Sequence, residues 1–316
     1  MGDGEAATDD DTTGDDSDVC VLVPTLDEAE TIAGVIDGLR EAGYENVLVI
    51  DGGSTDGTVE LAREHGARVE HQSGQGKGRA IREALSIIEA PLVLMLDGDG
   101  TYRPEDAEAM LEPLREGRAD HVIGNRFADM EPGAMPRLNR VGNRLINRAF
   151  AFIHGRDLVD ITSGYRAFRR ESVERFRLNA TGFGIETELA VECIKHDADT
   201  EIVPVTYRSR PAGSDTNLRP VRDGAVILVT LYRLAKTNNP LFYFGSVGVL
   251  SLLFGAGIGT YVGVEWFTRR VSHEVLAVVA GVAILFGIQL LMFGVLSDML
   301  LSLHREQLRR IERLER

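Results

Sequence analysis

The sequence predicts an α/β protein whose core is a mostly parallel sheet flanked by helices, followed by two membrane-spanning helices. Three observations support this prediction. Strand-like and helix-like patterns alternate from residue 19 onward, acidic turns follow the predicted strands, and two long apolar runs occupy the C-terminal part. Alternation of this kind is typical of parallel sheets, whose strands are joined by helical crossovers.

The elements of the α/β region follow one another in a regular order. Strand patterns occupy residues 19–23, 46–50, 67–70 and 92–96, with helical patterns between them at residues 28–42, 58–65 and 79–89. Further along, residues 121–123 predict another short strand, and residues 137–154 predict a helix with several arginines on one side. The strand patterns are short apolar runs bounded by turn residues, whereas the helical patterns repeat apolar residues every three or four positions.

The composition is strongly acidic. The chain has 316 residues and a formal net charge of -15, and Lys77, Lys195 and Lys236 are its only lysines. This balance argues against nucleic acid as a partner, because phosphate backbones bind basic surfaces. An acidic, lysine-poor chain fits the salt-rich cytoplasm of a halophilic organism, and the alternative is a GC-rich genome combined with an acidic tail. Residues 1–18 have almost no apolar content, which predicts a disordered acidic tail.

Two apolar runs lie within residues 240–304. Residues 241–267 and 275–303 are each long enough to cross a bilayer, which requires about 20 apolar residues. The alternative is a buried hairpin in a soluble core, but globular helices are seldom so long and so uniformly apolar. Glycine recurs every fourth residue on one helix face, which suits close helix packing and leaves open a homo-oligomer formed through these helices; the glycines are Gly255, Gly259 and Gly263.

The distribution of arginine predicts the topology. Arginines are concentrated in a basic tail at residues 305–316 and before the first span, whereas the loop between the spans is very short. Because cytoplasmic flanks carry the excess of Lys and Arg, both flanks should be cytoplasmic. We therefore expect a multi-pass protein of the cell membrane with a cytoplasmic domain at residues 19–217. Residues 218–239 should form an amphipathic helix at the membrane surface.

The most informative motif is Asp-Gly-Asp at residues 97–99, directly after a predicted buried strand. In an open α/β sheet the carboxyl ends of the strands face the ligand crevice. Two carboxylates there can hold a divalent metal, Mg²⁺ or Mn²⁺, and that metal can neutralise a diphosphate. The alternative is a plain turn. Acidic turns at residues 24–28 and 51–58 should reach the same edge, and Lys77 in a glycine-rich helix start suits an anionic group.

Together these motifs resemble the signature of family-2 inverting glycosyltransferases with the GT-A fold. The resemblance covers roughly residues 19–217, and beyond the three motifs above it includes residues 124–127, 160–166 and 182–186. With two C-terminal spans, the chain is similar to polyprenyl-phosphate hexosyltransferases such as dolichyl-phosphate mannose and glucose synthases. Its acidic composition is similar to that of the haloarchaeal enzymes that begin N-glycan assembly on dolichyl phosphate.

The resemblance implies a role for each motif residue. Asp97, Asp99 and Arg126 would be catalytic, with Arg126 binding the acceptor phosphate. The metal would be held by Asp97, Asp99 and Thr101, and Thr101 stands where some relatives carry a glutamine. The nucleotide would be bound by a further set, namely Pro24, Thr25, Glu28, Asp51, Lys77, Arg210 and Ser214.

Two positions depart from the pattern of the family. Asp215 follows Ser214 where many relatives have lysine, and Gly52 replaces a second aspartate after Asp51. On the acceptor side, Arg137 or Arg140 would assist the arginine of residues 124–127.

The implied reaction is transfer of a hexose from a nucleotide sugar, UDP-glucose or GDP-mannose, to dolichyl or polyprenyl phosphate on the cytoplasmic face, for protein N-glycosylation. Three alternatives remain. A polysaccharide synthase would need a general base and a processivity motif. A sugar nucleotidyltransferase would need a glycine-rich, arginine-bearing loop after the first strand. A non-catalytic membrane scaffold would most simply have lost one of the paired aspartates.

Overall fold

The computed structural model of the chain describes residues 18–180, 182, 184–210, 224–225, 227–229, 231–232, 235 and 239–315. The predicted acidic tail, Ser214 and most of the predicted amphipathic helix at residues 218–239 lie outside these ranges. The chain divides into two compact units. The first comprises Met1–Arg148 with Asp157–Ile227, and the second comprises Ala149–Arg156 with Leu228–Arg316.

The first unit is built on a seven-stranded sheet with the strand order β3-β2-β1-β4-β6-β5-β7. Six strands are mutually parallel, and β6 runs antiparallel between β4 and β5. The predicted α/β class with a mostly parallel sheet is therefore confirmed. The strands are β1 (Val19–Thr25), β2 (Val47–Asp51), β3 (Arg68–His71), β4 (Leu92–Met95), β5 (His121–Met130), β6 (Arg166–Arg169) and β7 (Thr200–Tyr207).

Helices cover both faces of this sheet. Val21 and Leu94 join one buried cluster with residues of α1 and α4, whereas Leu22 and Val93 join another with residues of α3 and α7. Successive residues enter different clusters because side chains along a strand point to opposite faces. The helices are α1 (Ile32–Glu41), α2 (Thr58–Glu64), α3 (Lys77–Ile87), α4 (Ala107–Arg115), α5 (Arg137–His154), α6 (Arg170–Glu174) and α7 (Ile185–Lys195).

The first helix begins four residues later than its apolar pattern predicts. Asp27 adopts a left-handed φ of 54°, and the carbonyl of Glu28 accepts hydrogen bonds from the amides of Thr31 and Ile32. The Asp27 carboxylate also accepts a hydrogen bond from the amide of Thr55 at 2.8 Å. Residues 27–31 thus form a turn fixed to the loop after β2, because local side-chain bonding outweighs helical propensity there.

The second unit contains α8 (Pro240–Arg269) and α9 (Glu274–Glu315), which pack against each other as a hairpin. Pro240–Arg269 and Glu274–Leu303 are long and apolar enough to cross a membrane, and most of their side chains are exposed. The backbones approach closely where α8 and α9 cross, because a Cβ on Gly287 would lie 2.7 Å from the carbonyl oxygen of Gly248. Of the predicted glycine stripe, Gly255 packs tightly on α9. At Gly263, by contrast, an added Cβ would meet no atom of the described residues within 4 Å.

Substituting Gly287 by valine should loosen this hairpin. The added side chain would overlap the backbone of α8, and overpacking of this kind typically costs about 1–3 kcal/mol. The measurement is the thermal unfolding midpoint of the full chain in detergent. Gly281→Val on the same helix is the matched control, since no atom lies within 4 Å of a Cβ there. Equal midpoints for the two variants would contradict the close crossing.

Candidate active site

The loops after β1, β2 and β4 meet at the carboxyl edge of the sheet, as the parallel strand order requires. The amide of Gly52 donates to the carbonyl of Thr25 at 2.9 Å. The hydroxyl of Thr31 donates to the carbonyl of Gly98 at 2.7 Å. These two hydrogen bonds join the three loops that the sequence singled out.

Two glycines allow side chains to approach the Asp-Gly-Asp motif at residues 97–99. A Cβ on Gly98 would lie 2.7 Å from Cγ2 of Thr25, and a Cβ on Gly164 would lie 2.4 Å from Oδ2 of Asp97. Any larger residue at either position would have to displace a neighbour. The backbone at Gly164 therefore packs directly against the Asp97 carboxylate.

Asp99 is held from two sides. It is 4% exposed, and its Oδ1 accepts hydrogen bonds from the Thr101 hydroxyl at 2.6 Å and the Thr101 amide at 3.1 Å. Its Oδ2 lies 2.5 Å from Nη2 of Arg210. Thr101 thus orients Asp99 through these two hydrogen bonds. Direct metal binding by Thr101 stays a prediction.

Lys77 joins two carboxylates. Its ammonium lies 2.6 Å from Oδ1 of Asp97 and 2.6 Å from Oε1 of Glu186. Burial favours the neutral amine, but the two carboxylates outweigh it and raise the pKa of Lys77. Lys77 is the first residue of α3, and Glu186 lies in the first turn of α7. Glu186 belongs to the motif at residues 182–186, and its partner in the structure is Lys77.

Glu28 adds a further acid to the group. Its Oε1 lies 3.8 Å from Nη1 of Arg210, and its Oε2 is buried with no hydrogen-bond partner among the described residues. Burial and the charge of Asp99 raise the pKa of Glu28 to about 7, although Arg210 opposes the shift. Burial and nearby negative charge both disfavour the ionised form of a carboxyl at this edge.

A divalent cation fits this group of side chains. Four carboxylates face two cations, Lys77 and Arg210, and one buried carboxylate oxygen has no partner within the described part of the chain. Over the same residues, no cluster of three or more His, Cys, Asp or Glu side chains is arranged to hold a metal by itself. Asp97 and Asp99 would therefore share a cation with phosphate oxygens, which is the usual arrangement for Mg²⁺ with a nucleotide.

Several residues that the sequence predicts to bind the nucleotide lie at the carboxyl ends of β1 and β2. Asp51 is buried and stabilises its own turn, because its carboxylate accepts hydrogen bonds from the Gly53 amide at 2.8 Å and the Ser54 hydroxyl at 2.5 Å. Pro24 and Thr25 complete β1, and the hydroxyl of Thr25 is buried with no partner in the described residues. Contact of these side chains with a nucleotide stays a prediction.

Arg126 forms a buried pair with Asp160. Its Nε and Nη2 donate to the two carboxylate oxygens at 2.8 and 2.7 Å, and Nη2 also donates to the hydroxyl of Thr162 at 2.8 Å. The guanidinium carbon lies 5.5 Å from the centre of the Tyr207 ring. Nothing that the structure describes accepts a hydrogen bond from Nη1, and Arg126 is 8% exposed. Asp160 is thus the partner of this arginine.

A mostly parallel sheet with clustered carboxylates at its carboxyl edge is the architecture of a GT-A glycosyltransferase. The chain belongs to glycosyl transferase family 2, to which residues 20–177 match. It is 66% identical over 298 residues to the glycosyltransferase AglJ of Haloferax volcanii, covering 94% of this chain and 98% of that protein. The predicted resemblance to the family is thereby confirmed.

Two other relatives carry names that refer to dolichyl phosphate and to polyprenol. The dolichyl-phosphate hexose transferase of Haloferax volcanii is 35% identical over 66% of this chain and 90% of its own. The polyprenol monophosphomannose synthase of Mycolicibacterium smegmatis is 30% identical over 63% and 82%. The glucosyl-3-phosphoglycerate synthase of Mycobacterium tuberculosis, solved with Mn²⁺, UDP-glucose and phosphoglyceric acid, has a TM-score of 0.56 at 23% identity over 69% and 79%, and supports the fold.

Replacing Gly164 by alanine should weaken the binding of a metal–nucleotide complex. The new methyl group would displace the Asp97 carboxylate from its position against the backbone of residue 164. A misplacement near 1 Å can cost about a hundredfold in function. Calorimetric titration of the full chain with UDP or GDP and Mn²⁺ measures the effect. Gly142→Ala, in α5 with no atom within 4 Å of a Cβ, is the control, and matching affinities would show that Gly164 has no such task.

Proposed function

We propose that the protein transfers a hexose from a nucleotide sugar, UDP-glucose or GDP-mannose, to dolichyl or polyprenyl phosphate at the cytoplasmic face of the membrane. The observation that supports this most strongly is the acid-rich edge around Asp97 and Asp99 in a chain with two membrane-length helices. Relatives named for dolichyl-phosphate and polyprenol substrates agree with this proposal. Protein N-glycosylation is the process that the resulting glycolipid would supply.

The donor half of the site would hold the nucleotide diphosphate. Asp97 and Asp99 would bind Mg²⁺ or Mn²⁺, which neutralises charge on the leaving diphosphate when it is bound. Lys77 and Arg210 already lie against these carboxylates, so both cations would also face the diphosphate. Preorganised charge of this kind lowers the barrier to departure of a charged leaving group.

The acceptor half of the site would hold the lipid phosphate. Arg126 is fixed by Asp160 through Nε and Nη2, and its Nη1 would donate to the phosphate. Arg140 of α5 has a buried Nε with no partner among the described residues, and its Nη2 lies 3.3 Å from Sδ of Met130 at the end of β5. Arg137 is exposed. Guanidinium groups match phosphate geometry, so Arg140 suits the assisting role better than Arg137.

The reacting atom would be a phosphate oxygen. A phosphate monoester has a second pKa near about 6 and is largely ionised at neutral pH, so no general base is required. Attack on the anomeric carbon opposite the departing diphosphate would invert its configuration. The polysaccharide synthase alternative would need such a base, because there a sugar hydroxyl must be deprotonated.

The surface of α5 suits contact with a bilayer. Leu138, Val141 and Leu145 are 64%, 62% and 58% exposed and follow one another at helical spacing, so that they form an apolar stripe. Arg144 and Arg148 are exposed on the same helix. Apolar residues flanked by arginine are typical of helices that lie in the headgroup region. The sequence predicted the bounds of α5 but assigned contact with the membrane surface only to residues 218–239, beside the two spans within residues 240–304.

A divalent metal should be required for transfer. Asp99→Asn keeps the shape of the side chain but removes the charge, and metal stabilisation of the leaving group is worth several kcal/mol. Initial rates of hexose transfer should fall about a hundredfold or more, and chelation should abolish the activity of the unmodified chain. Asp37→Asn, an exposed residue of α1, is the control. Near-normal activity of Asp99→Asn, or indifference to chelator, would contradict the metal role.

Arg126→Ala should raise the KM for the lipid phosphate far more than the KM for the nucleotide sugar. A hydrogen bond to a charged group contributes about 1.5–3 kcal/mol, which corresponds to roughly a tenfold to hundredfold effect on binding. Steady-state kinetics with each substrate varied in turn measure both constants.

Removing Arg126 also leaves Asp160 buried without its partner, which is strongly destabilising. The double variant Arg126→Ala with Asp160→Asn removes the charge as well as the arginine, and should keep the raised KM while recovering stability. A variant that weakens donor binding and spares the acceptor would assign Arg126 to the diphosphate instead.

The direct test of the proposed function uses membranes that contain the full chain. They are incubated with UDP-glucose or GDP-mannose together with dolichyl phosphate, free dolichol or neither, and lipids are analysed by mass. The expected product is a hexosyl phosphodolichol that forms only with the phosphorylated acceptor. Equal use of free dolichol, or a growing polysaccharide, would contradict the proposal.

A further inference from the structure

Arg166 is a charged residue buried at the base of the site. Its side chain is 0% exposed, and among the described residues no carboxylate lies within salt-bridge distance of it. Instead its Nε donates to the carbonyl of Ser163 at 3.0 Å and its Nη2 to the carbonyl of Ile161 at 2.6 Å. Burying a cation without a carboxylate partner is unfavourable. An apolar residue at this position would therefore cost less free energy than the arginine does.

Both carbonyls belong to one short segment, residues 160–165, which supports both halves of the site. At its start Asp160 holds Arg126 by two hydrogen bonds. Near its end the backbone of Gly164 packs against the Asp97 carboxylate, and the Gly164 amide donates to the Tyr102 hydroxyl at 2.9 Å. Arg166 binds the middle of this segment from the protein interior.

His121 completes the support. Nη1 of Arg166 lies 3.2 Å from Nε2 of His121. Because a guanidinium can only donate, Nε2 must be the unprotonated acceptor, which leaves the hydrogen on Nδ1. Nδ1 in turn lies 3.1 Å from Sγ of Cys193. Burial and the charge of Arg166 lower the pKa of His121 well below its usual range, in keeping with a neutral ring in this tautomer.

We propose that Arg166, held by His121, is a positioning residue for the transfer reaction, because it sets the segment that aims Arg126 at the acceptor and supports Asp97 at the donor. The proposal rests on the proposed function. We expect their effect on the reaction to pass through residues 160–165, because Arg166 donates to two carbonyls of that segment.

The test compares Arg166→Met with Arg166→Lys and His121→Gln in the full chain in bilayers. Methionine fills the space without donating a hydrogen bond, whereas lysine retains the charge and glutamine retains an acceptor. Arg166→Met should raise the KM for polyprenyl phosphate and lower kcat, each by about tenfold to a hundredfold. The lysine and glutamine variants should recover part of this loss.

A second comparison separates positioning from simple loss of stability. Leu39→Ala, a buried residue of α1, destabilises the core through a cavity and should leave the acceptor KM unchanged in the fraction that stays folded. In the background of Arg126→Ala with Asp160→Asn, Arg166→Met should no longer change the acceptor KM, since effects that act through one group are not additive. The kcat effect, which acts through Asp97, should persist.

The possible results distinguish the two proposals. If the unmodified chain transfers no hexose to polyprenyl phosphate, the proposed function is wrong and this inference falls with it. If the unmodified chain is active and Arg166→Met behaves like Leu39→Ala, or changes the acceptor KM equally in both backgrounds, the positioning role is wrong and the proposed function stands. If Arg166→Met cannot be obtained folded, the lysine and glutamine variants decide by the same criteria.

Discussion

Crowding of like charge at one edge of the sheet is the constraint on which the rest of this structure depends. The parallel strands β1, β2 and β4 end side by side, and this brings Glu28, Asp97 and Asp99 together. Lys77 and Arg210 offset part of the charge, while burial and the charge of Asp99 keep the pKa of Glu28 raised to about 7. Bringing like charges together costs free energy, and a bound cation would relieve that cost. Hydrogen bonds from Thr101 hold Asp99 in place, and the backbone at residue 164 packs against Asp97. Both carboxylates therefore keep their positions despite their repulsion.

The other half of the site follows the opposite logic. There a buried acid, Asp160, holds the positive charge of Arg126 in place. The proposed reaction between two phosphate esters would need both arrangements, because the two anions repel each other until separate groups of cations hold them. Residues 160–165 connect the two halves, since Asp160 binds Arg126 and the backbone at Gly164 packs against Asp97.

The sequence predicted those parts of the molecule that depend on local patterns. The apolar run before residue 97 located the paired aspartates at a strand end, and α5 has the bounds that its spacing predicts. Neither β6 nor β7 was predicted, and the antiparallel direction of β6 depends on its pairing with β4 and β5, which no local pattern records. The contact of Asp99 with Arg210 joins residues 111 positions apart, and no local pattern carries such information. The role of Arg166 was likewise invisible, since a buried arginine reads in a sequence as a surface residue.

The most direct test of this account is the affinity of the full chain for Mn²⁺, measured by calorimetry with and without UDP or GDP. Two protein carboxylates already paired with Lys77 and Arg210 should bind the ion weakly alone. Affinity should rise at least about tenfold when a nucleoside diphosphate supplies further oxygen ligands, and Asp97→Asn with Asp99→Asn should remove the binding. Tight binding of Mn²⁺ without nucleotide, or binding that survives both substitutions, would contradict the claim that the crowded acids at this edge form the donor site.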